Sequence, residues 1–338
     1  MQTKQVFEYK QKSRTMKMTN VKSKMIAAAV CTLMLAACNN EETVPDGETA
    51  QGMAHFSATI DGPATRAYDR IWEANDEIGI SGKSGEVQYT NVCYFTSGGN
   101  GNFSPKDESK KIYFQDNSEV TFTAYYPWND LKDGTAITAD TWQQAEQNKF
   151  DFLWAQEKGS KEHPDVAFTF AHKMAKVVLT VKRGADVSYE EVKAAVLTLD
   201  GFKHEGTFDV TTGTAEATGN ESVMWLFAGN GEGDEQNNAP FQHDDTKQTV
   251  SYTLIFFPQT FEAALPFTAE LTGKQSFTAD LDFTSANAEI DLTDARNEWV
   301  AGRQYNMGVV LNKTGIKVEG CTITPWEEVS LPDDIPAM

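Results

Sequence analysis

The sequence predicts an all-β protein: two tandem β-sandwiches behind an export signal. Three observations carry this. Short runs of alternating polarity recur between clusters of Gly, Asn, Asp and Pro, which is the pattern of sandwich strands and their turns. Long amphipathic helices are scarce, the two short candidates being 141–149 and 189–195. The 338 residues, less a leader, leave enough chain to bury two cores of ordinary size, and an aromatic content of 11% marks a packed protein.

Residues 1–37 form the leader. Lys17, Lys22 and Lys24 precede the apolar run 25–34, and Leu35, Ala36 and Ala37 close it. A positive region, an apolar region and a small-residue cleavage site come in the order of a secretory signal peptide, and the 13 residues 25–37 are too few to span a bilayer. The rest of the chain is therefore expected outside the cytoplasm. Cys38, directly after Leu-Ala-Ala, resembles the cysteine of a bacterial lipobox, where signal peptidase II cuts and acyl chains are attached. The alternative is an ordinary signal peptide with a chance cysteine. Residues 1–15 are polar and lie ahead of the signal pattern, so translation starts at Met1, Met16 or Met18. Residues 38–52 are polar, acidic and aperiodic and read as a flexible tether.

The charge balance limits the partners. Seven of the 29 basic residues and one of the 49 acidic ones fall in the leader, so the remainder carries 22 against 48, a net of −26. Such a surface repels phosphate backbones and anionic lipid heads, which excludes nucleic acid as a partner and leaves the acyl chains on Cys38 to hold the protein at the outer membrane. Cys93 and Cys321 are too far apart in sequence to define a disulfide framework and are expected as small buried side chains. The five histidines stand singly, without metal-ligand spacing, and no cofactor is implied.

The first sandwich is assigned to residues 53–172. In 55–60, Phe56, Ala58 and Ile60 share one face, and Asp61-Gly62-Pro63 ends the run. Further strands are expected at 77–80, 87–96, 111–114, 119–128, 150–155 and 166–170. Val120, Phe122, Ala124 and Tyr126 alternate with a second face in the run 119–128, and Pro127 stops it. The second sandwich, 173–338, begins with 175–182, where Val177, Leu179 and Val181 point inward. It continues through 194–199, 206–210, 222–227, 249–257, 267–271, 276–283, 304–311 and 316–324. Thr272-Gly273-Lys274-Gln275 is a hairpin turn.

These residues resemble a known family, the fimbrillin-like lipoproteins of Bacteroidia, which are subunits and accessory proteins of type V pili. The resemblance rests on Phe56 to Ile60, Thr65-Arg66-Ala67, Trp72 with Asn75 to Ile80, and Ala124 to Pro127. It extends through Phe170 to Val177, Gly302 to Tyr305, Leu311 to Ile316 and Pro325-Trp326. It implies transthyretin-like sandwiches, assembly by donor-strand exchange with other pilin subunits, and a surface or fimbrial location. Glu41 and Glu42 resemble the signal that sends such lipoproteins to the cell surface.

Under that resemblance, a protease cutting between Arg66 and Ala67 would release the strand carrying Phe56, Ala58 and Ile60 together with the lipid tether. The sandwich would be left with unpaired backbone groups and an open apolar groove, which a strand of another subunit fills. The alternative is that Arg66 is an ordinary loop residue and Cys38 a lasting anchor. The segment after Trp326 carries four acids, Pro332 and Pro336 and makes a poor donor strand, so a tip, anchor or accessory position is expected over a stalk position. No nucleophile elbow, phosphate loop or zinc-ligand cluster is present, so an enzyme is not expected. The competing reading is a surface module that binds host or bacterial glycan or protein. Trp142 and Trp299, set among polar residues, are its candidate ligand-binding side chains.

Overall fold

A computed structural model describes residues 52–61, 71–132, 134–227, 239–271, 273, 275–284 and 297–326. The leader, residues 38–51 of the tether and the 327–338 segment lie outside the described residues. Twenty-one strands follow in chain order among the described residues. The first eight are β1 (His55–Ile60), β2 (Glu77–Ser84), β3 (Val87–Phe95), β4 (Asn102–Pro105), β5 (Val120–Tyr126), β6 (Ala136–Asp140), β7 (Leu153–Gly159) and β8 (Asp165–His172). Next come β9 (Ala175–Arg183), β10 (Val196–Lys203), β11 (Glu205–Asp209), β12 (Thr214–Ala217), β13 (Glu221–Phe227), β14 (Phe241–Asp244) and β15 (Thr249–Phe256). The last are β16 (Gln259–Thr260), β17 (Leu265–Leu271), β18 (Gln275–Leu281), β19 (Glu298–Trp299), β20 (Arg303–Asn312) and β21 (Gly315–Pro325).

The N-terminal strands run in the order β1-β4-β3-β2-β5-β7-β8 and close on themselves, because β1 is bonded to both β4 and β8. Their inward residues, among them Phe56, Ile80, Phe122, Phe168 and Phe170, form one core. The C-terminal strands form two sheets, β14-β15-β9-β20-β21 and β13-β10-β17-β18. Val177, Leu179, Val181, Leu254 and Val309 of the first meet Leu197, Leu199, Met224 and Phe267 of the second in a shared core, which is the sandwich expected from the alternation.

A third layer joins material from both sides of residue 172. β6 pairs with β11, which pairs with β12, and Phe150, Phe152, Phe208, Ile255 and Phe257 pack beneath them. Phe152 stacks on Phe208 with ring centroids 4.6 Å apart. At the 171–174 junction, buried His172 places Nδ1 2.9 Å from Asp151 Oδ1 and stacks on Trp326 at 4.0 Å. The two helix candidates shrink to a 3₁₀ segment, Gln144–Lys149, and a short α-helix, α1 (Tyr189–Lys193). Ser188 and Glu191 form a capping box at the start of α1.

The strand expected at 111–114 is not one. Its pairing is limited to a single bridge, Met53 to Tyr113. The backbone N–H of Ile112 donates instead to the Tyr94 hydroxyl and that of Tyr113 to the Tyr89 hydroxyl, both at 3.1 Å, so side chains take the place of a ladder.

Candidate functional site: the slot of the first strand

β1 is positioned by its own alternation. His55 and Thr59 face out, whereas Phe56 and Ala58 face in and are 4% and 6% exposed. Ile60, at the end of the strand, is half-buried against the same core. The three residues expected on one face are therefore brought together in the barrel interior. β1 runs parallel to β8 over six residues, from His55 opposite Asp165 to Ile60 opposite Phe170. Its antiparallel pairing with β4 covers two, Phe56 with Phe103 and Ser57 with Asn102. The next residues of β4, Ser104 and Pro105, are in register with Phe95 and Tyr94 of β3 and not with β1.

The side chain of Phe56 sits in an aromatic pocket. Its ring lies edge-on to Tyr94 at 5.1 Å and to Phe122 at 5.3 Å and is stacked on Phe168 at 5.8 Å. Ala58 is clamped through its backbone. Its N–H donates to the Gly101 carbonyl at 2.7 Å, and its carbonyl accepts from Trp72 Nε1 at 2.9 Å. Trp72 is itself held edge-on by Phe103, Tyr126 and Phe170. Gly101 has a φ of +77°, and a Cβ there would overlap the Ala58 carbonyl oxygen, so this close approach requires glycine. Trp72 and Gly101 were not identifiable as parts of the slot from the chain alone. Their signals were a tryptophan just beyond the 61–67 loop and a glycine-rich turn, and neither encodes a contact with Ala58.

Among the described residues, a pocket half open to solvent borders each end of the slot. A cavity of about 370 Å³ borders Ala54 and Phe56 on one side and Phe103, Ser104 and Pro105 on the other. Glu108 and Lys111 at its edge pair with each other at 2.7 Å. A second cavity, of about 310 Å³, lies beyond Ile60 among Trp72, Asp76, Tyr126, Asp151 and Leu153. Asp76 accepts from the Glu73 backbone N–H at 2.7 Å and from the Tyr126 hydroxyl at 3.2 Å, and burial pushes its carboxyl above the usual range. Burial likewise pushes the Tyr126 phenol up, and the neighbouring Asp76 adds to it. The slot thus offers backbone edges, aromatic walls and space, which is the chemistry of binding an extended strand.

The other expected site residues fall elsewhere. Cys38, Arg66 and Ala67 lie outside the described residues. Trp299 is a correction: it is 1% exposed, stacked on Phe256 at 4.5 Å and walled by Phe202, Phe261 and Phe283. Its polar sequence neighbours are misleading, because pairing of β19 with β16 turns the indole into the sandwich core, where no sugar ring can reach its face. Trp142 is half-buried, with His204 edge-on to its ring at 4.8 Å. Cys93 and Cys321 are free thiols and half-buried rather than fully buried; burial is the main cause that pushes each up to about 12. The Cys93 thiol lies 3.6 Å from Glu77 Oε2.

Comparison with known proteins places this geometry in a family. A model described as fimbrillin-like matches residues 65–326. A candidate fimbrium subunit of Bacteroides uniformis, Fim1C, is 28% identical over 310 residues, which is 88% of this chain and 93% of that protein. A solved structure of a candidate cell adhesion protein from Bacteroides uniformis is 26% identical, with a TM-score of 0.60 over 81% of this chain and 98% of its own. Another, from Bacteroides ovatus, has the same fold at 22% identity and a TM-score of 0.63, over 82% and 98% of the two chains. The chain belongs to the fimbrillin-like family.

Proposed function

We propose that this protein is a surface-displayed fimbrium subunit that works by adhesion and assembly rather than catalysis, and that it joins its neighbours by exchanging β1 for a strand of another subunit. On this reading it is exported as a lipoprotein through Cys38 and occupies a tip, anchor or accessory position in a type V pilus. Residues 53–172 and 173–338 act as its two domains, with the β6-β11-β12 layer between them. The supporting observation is the asymmetric hold on β1: six residues of ladder on β8, two on β4, and an apolar face in the barrel core. A cut after Arg66 would leave β1 attached by noncovalent contacts alone. Its departure would expose the Phe56 pocket, worth about 1.5–3 kcal/mol for one large apolar side chain. An incoming strand recovers that burial and the backbone hydrogen bonds together.

The test is to treat the purified chain with an arginine-specific endopeptidase and identify the new N-terminus by sequencing. Expected are an N-terminus at Ala67, release of the fragment ending at Arg66, and capture of a labelled peptide with the sequence of residues 53–61. The Arg66→Ala variant should neither release the fragment nor capture the peptide. A chain that is cut at Arg66 yet keeps its fragment against excess peptide would refute strand exchange.

A further inference from the structure

Among the described residues, β1 fills the middle of its slot and a pocket borders each end. At the middle, Phe56 occupies a complete aromatic pocket and Ala58 is fixed between Trp72 and Gly101, with no room for a longer side chain in the packed interior. At the first inward position, Ala54 is a buried methyl group beside a cavity of about 370 Å³. At the last, Ile60 borders one of about 310 Å³. Both pockets are half open to solvent, and space beside buried Ala54 and half-buried Ile60 forfeits contacts that a larger residue would make.

We propose that the slot selects a strand from a different subunit with the pattern large apolar, x, aromatic, x, small, x, large apolar, and that this strand replaces β1 because it fills both cavities. This rests on the strand-exchange reading above. Charge narrows the partner further. Glu108 and Lys111 neutralise each other at the first cavity, so its entrance favours no charge. Glu73, Asp76 and Asp151 line the second with no basic residue among its lining, which excludes an acidic side chain from the last position. A second copy of this chain fits poorly. Its β21 offers Ile316, Val318, Cys321 and Ile323, with the phase broken by a bulge between Val318 and Gly320 and no aromatic among them, and four acids follow in 327–338.

The test uses the full chain cut after Arg66 and four labelled peptides, read by fluorescence anisotropy. Relative to the peptide 53–61, the form with Ala54→Leu and Ile60→Phe should bind about tenfold tighter and the form with Ala58→Leu about tenfold weaker. The peptide 315–325 should bind more weakly than 53–61. If 53–61 binds and the enlarged peptide is no tighter, the pattern is wrong while strand exchange stands; if 315–325 binds tightest, the donor is a second copy. If no peptide binds, both readings fall. In the uncut chain, Ala54→Leu and Ile60→Phe should each raise the melting temperature and Ala58→Leu lower it. A fall in all three overturns the claim of unfilled space whatever the peptides do.

Discussion

Replacing Phe56 with Ala is the most direct probe of the slot. The ring is buried and touches three aromatic rings, at 5.1, 5.3 and 5.8 Å. Core Phe to Ala changes cost about 3–5 kcal/mol, the burial of the lost carbons plus the cavity left behind. One flank of Phe56 already borders a cavity, so fewer contacts are lost there than in a fully enclosed core. The expected cost is therefore about 3–4 kcal/mol, in the lower half of that range. For a chain of this size each kcal/mol moves the melting temperature by roughly 2–4 °C, so a drop of about 6–16 °C is expected. Urea unfolding followed by tryptophan fluorescence gives the same quantity independently. Thr59→Ala, on the outward face of the same strand, should stay within about 0.5 kcal/mol. A loss below about 1 kcal/mol for Phe56→Ala would mean that the ring is not anchored in the barrel core, and the reasoning built on β1 would fail with it.

Three further outcomes follow from particular contacts. Trp72→Phe removes the indole donor from the Ala58 carbonyl in a buried setting and should cost about 1–3 kcal/mol by urea unfolding, with the barrel otherwise intact. Gly101→Ala forces a Cβ onto the Ala58 carbonyl at a positive φ and should destabilise by more than about 1 kcal/mol, read as faster hydrogen exchange along β1. His204, buried without a partner for either ring nitrogen, is pushed down to about 4 by desolvation. Between pH about 6.5 and about 4 the unfolded chain binds a proton there that the folded one does not. Stability contributed by the neutral ring is therefore lost as pH falls, by at most about 1.4 kcal/mol per pH unit, and a titration of unfolding free energy should show that slope flattened in His204→Phe.

The sequence made some of this legible and hid the rest for physical reasons. Long alternating runs announced themselves: β1, β5, β9, β15 and β20 fall where Phe56, Phe122, Val177, Leu254 and Val309 mark an inward face. The short strands β4, β6, β12 and β14 carry too few alternations to register, and they exist because a neighbouring strand supplies their ladder. Phe150 and Phe152 resemble strand residues, yet they fill the layer under Phe208, and the strand β7 starts at Leu153. Burial misled in the opposite direction at Trp299, whose local polarity says nothing about the aromatic rings that fold over it from distant strands. The three slot residues on β1 were readable from period alone. The grip of Trp72 and Gly101 on Ala58 was not, because it is a tertiary contact across 14 residues in one case and 43 in the other.

The described residues contain two parallel pairs, and comparing them gives the reason for proposing β1 as the exchangeable strand. β9 lies parallel to β20 over eight residues and antiparallel to β15 over eight more, so it is central in its sheet. Removing it would break two full ladders and uncover Val177, Leu179 and Val181 at once. It is also continuous with structure on both sides, β8 before it and α1 after it, so a single cut cannot free it. β1 has a six-residue ladder on one side and a two-residue ladder on the other. It is the first strand among the described residues, and the chain from it onward passes through the segment that contains Arg66. If the chain is cut after Arg66 as proposed, that one peptide bond decides whether β1 is a strand of this protein or a ligand bound to it. On the proposed exchange, the same parallel arrangement serves as a fixed spar in the C-terminal sandwich and as a replaceable part in the barrel, the difference being six ladder residues on the second side and the position of one arginine.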